Sequence, residues 1–203
     1  IVAARYSCSS SMTRANSCGK VRAERDKLSS LCWMTSSEKP SGPPMRKDKR
    51  PFFTQDIGLM NVSAEQNTQL IHTRRIGARS DDGSSSITPI DAAVRFVHQD
   101  EHWQFAGFTA IEDSLASDAG KDFYVGRARY RQDHWQSGIL LTQTERPWLD
   151  RQAQTRAWDS QYQSETWSWQ TALLASEVSE QTVNNQGYGI SANVNYQFDP
   201  NIS

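Results

Sequence analysis

From Ile90 onward, apolar and polar residues alternate in short runs. The clearest run is 187–198. Tyr188, Ile190, Ala192, Val194, Tyr196 and Phe198 are apolar, while Gly189, Ser191, Asn193, Asn195 and Gln197 between them are small or polar. A period of two puts each set on one face of a β-strand, whereas a helix would mix them around its surface. The polar face carries no charge and the apolar face has aromatic ends. Such a strand suits a wall with lipid on one side and a wet lumen on the other. It also suits one sheet of a soluble sandwich, so the neighbouring strands decide.

Those neighbours repeat the pattern. Ile90, Ala92, Val94 and Phe96 alternate with polar or small residues. Trp103, Phe105, Gly107, Thr109 and Ile111 share one face of the next strand. In 123–130, Tyr124, Ala128 and Tyr130 lie opposite Arg127 and Arg129. Then come 135–144, with Ile139 and Leu141 on one face, a weaker polar strand over 155–163, and a strand over 167–176. Strands joined in order with no helix between them predict an antiparallel up-and-down meander. Turns at 99–101 and 131–134 are short, and connections at 114–121, 146–156 and 177–186 are long and polar. Short turns at one end and long loops at the other mark outer-membrane barrels. Trp103, Trp135 and Trp167 each open a strand just after a turn, where a barrel carries its interfacial aromatic girdle. In a soluble protein the same tryptophans would cap a core. The expected fold class is all-β: an antiparallel up-and-down meander, part of an outer-membrane-type β-barrel, with an irregular N-terminal lead-in.

Composition sharpens this picture. The apolar fraction of 36% is low for a compact soluble domain. No run of 18 apolar residues exists, so no membrane-spanning helix is expected; barrel strands give no such run. A net charge of -1 implies no general polyanion-binding surface, hence no nucleic-acid partner. The three cysteines, Cys8, Cys18 and Cys32, give neither a disulfide framework nor zinc-ligand spacing. Residues 1–48 are rich in Ser, Arg and Lys and broken by Pro40, Pro43 and Pro44, so they are expected to be an irregular lead-in. The segment 70–77 is expected to be a strand ended by Gly77, and 80–86 a loop. The chain begins at Ile1 and ends in a turn-like 199–203, so it is expected to be a piece of a longer protein.

Five segments carry a resemblance: Lys49-Arg-Pro-Phe-Phe-Thr54, Leu70-Ile-His-Thr-Arg-Arg-Ile-Gly77, Ile90-Asp-Ala-Ala93, Asp122-Phe-Tyr-Val-Gly-Arg127 and Arg146-Pro-Trp-Leu-Asp-Arg151. In this order they resemble the bacterial domain-of-unknown-function family 5916. There, a carbohydrate-binding domain of the family-9 type precedes a large outer-membrane-like β-barrel. The resemblance spans 49–203 and implies a partial barrel domain there. Residues 1–48 depart from the family pattern, apart from a faint similarity at 19–24. They are a divergent insertion or come from an altered reading frame. The family has no established catalytic residues, so the resemblance transfers none.

Local chemistry adds little. His98-Gln-Asp-Glu-His102 matches an inverted zinc-peptidase pattern, but that chemistry needs a helical face and this stretch crosses a turn. Glu112, Asp113, Asp118, Asp122, Glu145 and Asp150 offer many carboxylate pairs and select none for glycoside hydrolysis. No catalytic residue, metal or cofactor is expected. Arg74, Arg75, Arg127 and Arg129 are candidates to face a barrel lumen, where charge is tolerated. Trp148 and Trp158 are candidates to stack on a sugar ring. The expected function is therefore a non-enzymatic piece of a bacterial outer-membrane barrel. Its partners are outer-membrane lipid and, through the resemblance, a glycan to be bound or taken up by the parent. The alternative is a soluble, secreted all-β carbohydrate-binding module or glycoside hydrolase.

Overall fold

The computed structural model describes residues 16–23, 28–36, 52–53, 57–62, 70–78, 88–112 and 120–197. They form one antiparallel sheet of nine strands whose spatial order follows the chain. The strands are β1 (Asn16–Ala23), β2 (Leu28–Ser36), β3 (Ile90–Gln99), β4 (Trp103–Glu112), β5 (Asp122–Gln132), β6 (Trp135–Arg146), β7 (Arg151–Gln163), β8 (Trp167–Glu180) and β9 (Val183–Tyr196). The all-β up-and-down meander is thus observed. Among the described residues, β9 pairs with β8 alone.

Three expectations change. The first 48 residues are not wholly irregular: β1 and β2 pair with each other, and β2 pairs with β3. The segment 70–77 is no strand. It carries a 3-10 turn at Thr73–Arg75, after which Gly77 adopts a positive φ of 66°. A Cβ at Gly77 would also press on the Ile90 side chain, so glycine is required there twice over. The long connections expected over 146–156 and 177–186 are mostly strand. A 3-10 turn at Pro147–Leu149 followed by Asp150, and a two-residue turn at 181–182, are all that join β6 to β7 and β8 to β9. Their polar residues had signalled loop, yet they continue the ladder as strand ends. The β4–β5 connection alone stays long, so loop asymmetry is weaker than expected. The expected loop at 80–86 lies outside the described residues.

Register fixes two faces. One carries Gln104, Ala106, Phe108 and Ala110 on β4, paired with Arg129, Arg127, Val125 and Phe123 on β5. It continues through Gly138, Leu140 and Thr142 on β6 to Asp159, Ala157 and Thr155 on β7. Residues 52–53, 57–62 and 70–78 pack on this face: the turn at Ile57–Met60 meets β4 and β5, and Phe53 meets Phe108 ring to ring at 5.8 Å. Phe53, Met60, Val62 and Ile71 join Ile90, Ala93, Val97 and Ala106 in the buried cluster. Among the described residues, Leu140 is the largest apolar side chain that is wholly buried. We call this side of the sheet the covered face. The other, outer face carries a second set of aromatic and large aliphatic residues, most of them exposed.

Candidate membrane-facing surface and inner polar site

The outer face is a continuous band. One register row runs Phe105, Ala128, Ile139, Trp158, Leu173, Ile190 from β4 to β9. Every residue of that row except Ala128 is exposed, up to 76% at Ile190. Aromatic residues gather at the end of the sheet that carries the turns at 100–102, 133–134 and 164–166. Trp103 touches Tyr130 with ring centroids 4.9 Å apart, and Tyr130 touches Trp135 at 6.1 Å. Tyr162 meets Trp169 at 6.4 Å, and Trp167 meets Tyr196 at 4.6 Å. The Trp135 indole donates to Ser160 Oγ at 2.9 Å, which satisfies its N–H. Register explains the alignment. Trp103 faces Tyr130 and Trp135 faces Tyr162, but Tyr130 faces Ser137, so each hairpin begins two residues beyond the last. Such stagger is what tilted strands of a curved sheet produce. At the opposite end the outer positions turn polar: Gln143, Glu145, Gln152, Gln154, Glu177 and Gln186.

The covered face holds Arg95, Arg127 and Arg129. Arg127 Nη1 lies 2.6 Å from Asp159 Oδ1, and both side chains are almost wholly buried. The pair joins β5 to β7 across β6. Gly138 makes this possible: a Cβ there would come within 3.1 Å of Arg127 Cζ and 2.7 Å of the Ala128 carbonyl. Arg129 Nη2 donates to the Asn61 carbonyl at 2.8 Å, tying the covering segment to the sheet. The Gly77 N–H donates to Glu112 Oε1 at 2.7 Å and the Lys121 N–H to Glu112 Oε2 at 3.2 Å. Arg95 sits 6.0 Å over the Phe52 ring.

The remaining candidates are scattered. Arg75 is exposed in the 3-10 turn at Thr73–Arg75, and the Arg74 side chain lies outside the described residues. Trp148 stands 70% exposed on the β6–β7 connection. Trp158 lies between Ile139 and Leu173 in the outer band, far from Trp148 in register. Asp159 and Gly138 were missed by sequence reasoning, because only the strand register brings them beside Arg127. No group of three or more His, Cys, Asp or Glu is placed to hold a metal among the described residues.

The His98–His102 stretch is a capped turn. Asp100 Oδ1 accepts the Trp103 N–H at 2.7 Å and the His102 N–H at 3.1 Å, and His98 Nε2 lies 3.6 Å from Asp100 Oδ2. The Trp103 amide, aided by the His102 amide and by His98, holds the Asp100 carboxyl below its ordinary range. A lowered folded-state value means the cap stabilises above the unfolded value and is lost as pH falls through the folded one. Exchange of the Trp103 and His102 amides, followed by NMR in acid, is therefore expected to accelerate below the carboxylate range. Asp100→Asn should remove that acid-dependent step.

No family model, curated protein or solved structure matches the chain. No helix among the described residues is long and apolar enough to cross a membrane, which says nothing of strands.

Proposed function

We propose that the chain forms part of the wall of a bacterial outer-membrane β-barrel and has no enzymatic role. One observation carries the reading: a continuous row of large apolar residues is exposed on the outer face, while a buried charged pair lies on the other. A soluble sandwich buries its large apolar strand faces against each other. Here the large apolar residues stand exposed in a row from β4 to β9, and the covered face combines an apolar cluster around Val97, Phe108 and Leu140 with the buried polar Gln104, Arg127 and Asp159. Lipid satisfies that outer band, and the aromatic cluster at one end of the sheet suits the headgroup level. The covered-face arginines then look toward a lumen partly filled by residues 57–62 and 70–78.

The carbohydrate link rests on the family resemblance. In this reading Trp148, bare beside the β6–β7 connection, is the sugar-stacking residue. Trp158 belongs to the lipid-facing band. The outward apolar row makes the soluble carbohydrate-binding module or hydrolase the weaker alternative.

The decisive experiment partitions the protein between buffer and detergent-solubilised outer membrane, with circular dichroism on the fraction that holds it. Recovery in detergent alone, with a β-rich spectrum, is expected. Recovery from buffer as a folded monomer would sink the barrel and make a glycan-binding screen the next step.

A further inference from the structure

Arg156 is out of place. Its neighbours in register are Leu141 on β6 and Ala175 on β8, both on the outer face. Arg127, Arg129, Arg131, Arg146 and Arg151 all fall on the opposite face. Arg156 is the one outward-facing Arg or Lys on β4–β9 among the described residues. Its Nη2 donates to Gln154 Oε1 at 3.2 Å, a neutral amide on the same strand. No ion pair among the described residues includes it.

Its position along the strand is informative. Arg156 lies six residues from the girdle residue Tyr162. That is about 20 Å along the strand, or roughly 15 Å of height at a barrel's tilt. The next outward residue, Gln154, is already polar. Arg156 therefore marks the far boundary of the apolar band. A long alkyl stem can lie on apolar surface there while the guanidinium reaches the headgroup level.

Two apolar furrows flank it. One, of about 620 Å³, runs between β6 and β9 past Trp158, Leu173 and Ile190. The other, of about 550 Å³, crosses Gly107 and Gly126. Leu141 and Arg156 line both furrows. The second furrow lies over the facing pair Gly107 and Gly126. A Cβ at Gly126 would meet nothing within 4 Å, so packing leaves this space open.

We propose that Arg156 binds the phosphate of a membrane lipid whose acyl chains lie in the two furrows. The inference rests on the membrane reading above. A guanidinium offers a planar fork of donors that matches phosphate oxygens. The furrows make the occupant a lipid phosphate, because a free phosphate would leave them empty.

The test is native mass spectrometry of the detergent-purified chain titrated with dioleoyl phosphatidylglycerol or dioleoylglycerol. The phosphate-bearing lipid is expected to bind about tenfold more tightly than the neutral one. Arg156→Gln should erase that preference and Arg156→Lys should keep part of it. Gly126→Leu should weaken both lipids by filling one furrow. Circular dichroism and detergent partition of each variant should match the parent. Equal binding of the two lipids, or an unchanged preference in Arg156→Gln, overturns the site while leaving the barrel reading standing. A parent chain that stays folded and monomeric in buffer removes both.

Discussion

Asp159→Ala is expected to destabilise the fold by about 3–5 kcal/mol, because it strands a buried guanidinium without its counter-charge. Arg127 and Asp159 are both sealed from solvent at 2.6 Å. Arg127 cannot swing out to water, since the backbone of Gly138 lies beneath it and Leu140 is paired directly opposite. The pair as a whole is a different matter. Desolvating two ions offsets most of their attraction, so an apolar pair of similar volume is often as stable. The double variant Arg127→Met with Asp159→Leu should therefore recover most of the loss, to within about 1–2 kcal/mol of the parent. Urea unfolding in detergent micelles, followed by tryptophan fluorescence, measures all three. If Asp159→Ala and the double variant unfold at the same midpoint, the charge pair does not hold β5 to β7.

That pair also shows what a sequence reader can and cannot see. Arg127 and Arg129 were legible as sharing a face because they are two apart in a strand whose other face is aromatic. Asp159 was not legible. It sits two strands away, and only the registers of β5 with β6 and β6 with β7 bring it over Gly138. Nothing local in 151–163 sets this Asp apart from a solvated one.

The strands themselves were readable wherever the outer face is apolar. From β3 to β6, Val94, Phe96, Phe105, Tyr124, Ile139 and Leu141 keep the period of two visible. Beyond the band the outer residues become polar, and the period vanishes while the ladder continues. For this reason β7, β8 and β9 begin or end several residues outside the expected limits, through Gln152, Glu177 and Asn185. Backbone hydrogen bonding does not need apolar side chains, so polarity alone was a poor loop signal. In β1 and β2 no alternation persists, and their pairing could not be anticipated. Arg156 was hidden in the same way: its meaning depends on Leu141 and Ala175 flanking it in register.

Leu173→Arg separates the membrane reading from the soluble one most sharply. Leu173 lies between Trp158 and Ile190 in the outward row and is already exposed. On a soluble protein, an arginine at an exposed strand position changes stability by no more than about 0.5 kcal/mol. On a lipid-facing strand the cost depends on depth. Leu173 pairs with Trp158, four residues from the girdle residue Tyr162, which puts it roughly 10 Å of height into the band and inside the boundary that Arg156 marks. At that depth an arginine costs about 2–4 kcal/mol. Leu149→Arg is the matched control. Leu149 is also an exposed leucine, but it lies in the 3-10 turn beyond the polar ends of β6 and β7. It should cost roughly 0–1 kcal/mol in either setting. Urea midpoints of both variants, refolded into phosphatidylcholine vesicles, give the comparison. A large loss at Leu173 with little at Leu149 means that lipid covers the band, since no protein contact distinguishes the two leucines so strongly. Small and equal losses would place both side chains in water, leaving the outward aromatic row without a solvent to explain it.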